Sequence, residues 1–105
     1  MVESQKNKRL IMAKATARHI LVKTENLANK IKKEIKAKEI TFEKAAKKFS
    51  KCPSGKKGGD LGKFYDGEMV PAFDKVVFKE RLHTVHGPVK TQFGFHLIEI
   101  TSRSK

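Results

Sequence analysis

The sequence predicts an α+β domain, a small and mainly antiparallel sheet covered by helices. Three observations carry this. Runs of branched residues at strand period stand near both ends, at residues 15–23 and 95–101. Two apolar patterns of helical period follow one another between residues 24 and 50, and the dense turn-forming segment from Cys52 to Gly62 separates them from the later elements.

Residues 15–23 alternate and end in His19-Ile20-Leu21-Val22, which reads as a short, central strand buried on both faces. Thr24 offers an N-cap; Leu27, Ala28, Ile31 and Ile35 then recur at helical spacing to about Lys38, with Lys30, Lys32, Lys33 and Lys36 on the opposite side. Thr41 caps a second helix in which Phe42, Ala45, Ala46 and Phe49 share one face while Lys44, Lys47 and Lys48 face away, ending near Ser50. The Pro and Gly residues of 53–62 break helix and ladder alike, so an ordered loop follows, then a short strand at 61–64 and a turn at Asp66-Gly67. Pro71 suits the first turn of a third helix that carries Phe73, Val76, Val77 and Phe78 inward. Gly87-Pro88 opens a brief extended piece to residue 91, residues 92–94 turn, and residues 95–101 form the last strand, so the final two strands make a hairpin.

One domain fits the 105 residues, taken as 15–105 behind a basic tail at 1–14. The formal charge is +13, and residues 1–58 hold 17 Lys or Arg against 5 Asp or Glu. Such asymmetry is compatible with a weak nucleic-acid, ribosome or acidic-partner contact, although a solvated helix face carries the same lysines and is the simpler reading. Residues 1–12 lack the apolar core of a signal peptide, and no stretch nears the roughly 20 apolar residues that span a bilayer. A single cysteine cannot form an internal disulfide. A cytoplasmic monomer with a free thiol, away from membranes, is the expectation.

Several chemistries are considered for the thiol and the four histidines. A metal site is disfavoured, because His19 and His96 lie in strand interiors, His83 and His86 in a loop, and no second cysteine supplies ligand spacing. Gly55-Lys56-Lys57-Gly58-Gly59 lacks the spacing of a phosphate-binding loop and leads from helix to strand rather than the reverse. A Cys-His hydrolase finds no support beyond Cys52 and a histidine. A ring buried in a strand needs hydrogen bonds; if the first and last strands are neighbours, His19 and His96 satisfy one another, with Thr91 and Cys52 completing a network. That pair is either a satisfied core feature or part of a site. Met69, Phe73 and Phe93 stand beside turns, where they line a shallow apolar cup suited to a proline ring, or else belong to the core.

Taken together, His19-Ile20-Leu21-Val22-Lys23, Cys52-Pro53-Ser54-Gly55 with Gly58-Gly59-Asp60-Leu61-Gly62, Met69-Val70-Pro71-Ala72-Phe73 and Gln92-Phe93-Gly94-Phe95-His96 closely resemble the parvulin peptidyl-prolyl isomerases, in particular the small stand-alone bacterial (PpiC-like) type. The resemblance covers residues 15–100. It implies a four-stranded antiparallel sheet with about four helices, the fourth expected as a short turn near 66–70 or 79–82. It implies a cofactor-free catalyst of X-Pro isomerisation in unfolded or flexible chains. The family's paired histidines fall on His19 and His96, its active-site cysteine on Cys52 and its proline pocket on Met69, Phe73 and Phe93, with Thr91 and Gln92 as polar groups around the site. A non-covalent role for Cys52 is favoured over thiolate attack, because some family members carry aspartate there. Phosphate-directed parvulins have a long basic loop after the first strand; Lys23-Thr24-Glu25-Asn26 is short, so no phosphate requirement is expected.

Overall fold

A computed structural model of the chain describes residues 13–104. The expected tail lies outside the described residues up to position 12, whereas Lys14 is the first residue of a strand. The elements run β1 (Lys14–Val22), α1 (Glu25–Lys36), α2 (Phe42–Phe49), a 3₁₀ turn (Pro53–Lys57), β2 (Asp60–Tyr65), α3 (Pro71–Lys79), β3 (Val85–Thr91) and β4 (Gly94–Ser104). The four strands form one antiparallel sheet in the order β2-β1-β4-β3, so the first and last long strands are central neighbours.

Strand alternation sorts the side chains of this sheet onto two faces. On one, Ile20 and Val22 of β1 and Leu97 of β4 pack against Ala28 and Ile31 of α1 and Phe42, Ala45 and Ala46 of α2. On the other, Ala15 and Ala17 of β1 and Ile98 and Ile100 of β4 pack against Phe73 and Val77 of α3 and Phe64 of β2. Helices α1 and α2 start where the sequence places their caps: the Thr24 hydroxyl accepts from the Leu27 N–H at 3.1 Å and the Thr41 hydroxyl from the Lys44 N–H at 3.1 Å.

Three placements differ from the sequence reading. The fourth helical element is not at 66–70 or 79–82, which are turn and bend apart from Lys79 at the end of α3; it is the 3₁₀ turn directly after Cys52. Pro53 supplies a fixed φ at its first position, and the Gly55 N–H reaches the Cys52 carbonyl at 2.9 Å, so this glycine-rich loop is a wound turn. His86 is in β3 rather than a loop, because pairing with β4 begins at Val85 and resumes at Val89 after a register shift. Lys32 is not wholly on the solvated side of α1: its ammonium donates to the Gly87 carbonyl at 2.6 Å, tying α1 to β3.

Candidate active site

The two central strands deliver the paired histidines. Leu21 stands opposite His96 and His19 opposite Ile98 in the β1–β4 ladder, so His19 and His96 are diagonal neighbours on the face covered by α3. Their rings stack with centroids 5.2 Å apart and planes 18° from parallel, and the two Nδ1 atoms are 3.0 Å apart. Phe73, from the first turn of α3, meets both imidazoles edge-to-face, each at 5.5 Å between centroids. The Thr91 hydroxyl lies 2.7 Å from His96 Nε2 and accepts from the Phe93 N–H at 3.1 Å, which links the ring pair to the β3–β4 turn.

This geometry constrains protonation. In the shared bond one Nδ1 donates and the other accepts, an arrangement open to two neutral rings and closed to two imidazolium ions. Burial agrees, pushing His19 down to about 4 with the neighbouring His96 as second cause, and lowering His96 as well. At neutral pH the pair is an uncharged, polarisable wall. His19 Nε2 is buried and has no partner among the described residues.

Beside the pair opens a cleft of about 360 Å³, at the small end of the range for ligand sites. His19, Leu21 and His96 form its sheet wall, Cys52 and Pro53 its loop wall; Met69, Phe73 and Phe93 complete the apolar cup with Leu61 and Val70. Phe73 is buried, while Phe93 at the turn is 62% exposed. The glycine-rich segment sets the loop wall close to the sheet: the His19 N–H donates to the Gly59 carbonyl at 3.0 Å, and a Cβ on Gly59 would lie 2.4 Å from the His19 carbonyl oxygen.

Thus His19, His96, Cys52, Met69, Phe73 and Phe93 converge on one cleft, with Thr91 behind His96. Gln92 does not join them; it is exposed in the turn and lines no part of the cleft. Nor does Cys52 complete the histidine network: the rings bond each other and Thr91, and the side-chain partner of the Cys52 sulfur among the described residues is the Ser54 hydroxyl, which donates to it at 3.3 Å. Leu21, Lys51, Pro53, Leu61 and Val70 also line the cleft without having been singled out. Leu21 was within reach, since it shares strand parity with His19; Lys51 and Pro53 follow only from the winding of the loop after α2.

Comparison with known proteins agrees with this architecture. The family described as "Rotamase: PPIC-type PPIASE domain" matches residues 10–102, and the chain belongs to it: it is a domain of the parvulin-type peptidyl-prolyl isomerases. Among particular proteins, it is similar to the foldase protein PrsA of Geobacillus kaustophilus, 42% identical over 93 residues that make up 88% of this chain and 33% of that one. The crystal structure of the peptidylprolyl isomerase PrsA from Bacillus anthracis superimposes with a TM-score of 0.85 at 35% identity, covering 96% of this chain and 46% of that one. NmPin, the parvuline of Nitrosopumilus maritimus, gives 0.75 at 37% identity, covering 85% of this chain and 96% of that one. The chain therefore spans about a third of the length of the PrsA relatives it matches.

Proposed function

We propose that this chain accelerates cis/trans interconversion of X-Pro bonds in unfolded or flexible polypeptides, by a non-covalent route and with no phosphate requirement. The observation that carries the reading is a proline-sized apolar cup whose polar walls are an uncharged histidine pair and one thiol. Turning an X-Pro amide crosses a barrier of about 18–20 kcal/mol because the twist destroys resonance, and no bond has to break. Met69, Phe73 and Phe93 hold the proline ring and strip water from the amide, which disfavours its planar, charge-separated form. In the twisted state the carbonyl no longer shares the nitrogen lone pair, and Cys52 with the histidine pair supplies the polar surroundings that suit it.

Family membership supports the reaction, and the short passage from Val22 to Glu25 supports the absence of a phosphate site, since only Lys23 and Thr24 separate β1 from α1. A protease-coupled assay comparing Leu-Pro with phosphoserine-Pro peptides tests both points: acceleration of the first is expected, and a large advantage for the second would overturn the specificity. Cys52→Asp should keep substantial activity, whereas near-complete loss would favour covalent attack.

A weak contact of the lysine faces with anionic polymers is a second reading, supported by exposed Lys30, Lys33, Lys44, Lys47 and Lys48. A shallow salt dependence of RNA binding would refute it. Cytoplasmic placement and a monomeric state stay with the proposal, supported by the unpaired thiol and by the sheet's being covered on both faces; fractionation and sedimentation test them.

A further inference from the structure

Two serines hold Cys52 in place, and neither belongs to the machinery described so far. Ser50, the C-cap of α2, accepts from the Cys52 N–H at 3.3 Å and from the Leu21 N–H at 3.1 Å, which fixes the cysteine backbone to β1. Ser54, in the first turn of the 3₁₀ segment, places its hydroxyl 3.3 Å from the sulfur as the donor. The turn sits close on the end of α2, where a Cβ on Gly55 would lie 2.8 Å from the Ala46 carbonyl and 3.0 Å from Ser50 Cβ. Ser54 thus presents its hydroxyl from a turn packed against the end of α2.

A thiol has one hydrogen to donate and a sulfur that accepts. When a neighbouring hydroxyl occupies the accepting side, the S–H is left for another acceptor, and the cleft is the open space beside Cys52. The acceptor expected there is the proline nitrogen, which regains its lone pair as the amide twists and resonance is lost. We propose that Ser54 is a positioning residue for the isomerase reaction: it holds Cys52 with the sulfur as acceptor from the loop and the S–H as donor toward the proline nitrogen of the twisting amide. This rests on the prolyl-isomerase reading, and both transfers are hydrogen bonds that move no proton.

The test combines Ser54→Ala, Ser54→Thr, Cys52→Ala and the double variant Cys52→Ala/Ser54→Ala, assayed on a Leu-Pro peptide. Ser54→Ala should lower kcat/KM about 3- to 10-fold, the worth of one neutral hydrogen bond, with the loss in kcat and little change in KM. Ser54→Thr should restore most of it. In the Cys52→Ala background the same change should cost nothing, because there is no sulfur left to orient. Full activity in Ser54→Ala, or an equal loss in both backgrounds, overturns the proposal while leaving the isomerase reading intact. An unaltered chain inactive on every X-Pro peptide overturns both. Independently of turnover, the Raman S–H stretch of the chain's single thiol should shift in Ser54→Ala, and an unmoved band overturns the contact.

Discussion

Acidification should destabilise this domain through His19. Its ring is buried and pushed down to about 4 by loss of water, the neighbouring His96 adding to the effect. An unfolded histidine titrates near 6.5, so between those values the unfolded chain holds a proton that the folded chain refuses, and stability rises with pH across that window. Linkage gives a loss from His19 of about 2 kcal/mol between pH 7 and pH 5, and about 3 kcal/mol by pH 4. His96, also lowered by burial, acts in the same direction. Asp74 acts oppositely: burial first, then the Asp66 carboxyl, raise it to about 6, so its contribution is present at low pH and lost as pH rises through that value. Urea unfolding is therefore measured in Asp74→Asn, which retains an acceptor for the Gly67 N–H and removes the opposing titration. At pH 5 ordinary carboxylates remain ionised, so the histidines dominate the change. The midpoint should fall from pH 7 to pH 5 and stay level above pH 7. An equal or higher midpoint at pH 5, or a His19 ring titrating near 6.5 by NMR, refutes the burial reasoning.

Phe73→Ala should cost about 3–5 kcal/mol in urea unfolding and reduce isomerase activity, because one side chain is both core and cup; wild-type stability would contradict its packing against the histidines. Thr91→Val leaves His96 Nε2 without its partner and should cost about 1–3 kcal/mol, with Thr91→Ser close to wild type; equal stability of the two would remove Thr91 from the network. Gly59→Ala meets the His19 carbonyl at a φ of +89° and should cost at least about 1–3 kcal/mol by thermal unfolding, and a neutral result would mean that the loop yields.

Periodicity made much of the fold legible. Thr24 and Thr41 mark helix starts that the structure keeps, and the parity of β1 and β4 brings His19 and His96 together once the strands are neighbours. The 3₁₀ turn was hidden because Pro53, Gly55 and Gly58 look the same in a loop as in a wound turn; what winds it is packing against the end of α2, a tertiary effect. The same blindness covers the serines at Cys52, since hydroxyls two residues either side of a cysteine carry no periodic signal. Lys32 reads as one more solvated lysine, and only the proximity of the Gly87 carbonyl gives it a partner.

Two-dimensional exchange NMR on a Leu-Pro peptide, with catalytic amounts of the chain, bears most directly on the reaction. Cross-peaks between cis and trans proline signals should appear on mixing times too short for the uncatalysed process, which takes tens of seconds or more. They should weaken in Phe73→Ala and persist in Cys52→Asp. Exchange no faster than that of the free peptide would contradict catalysis, and exchange abolished by Cys52→Asp alone would contradict the non-covalent route.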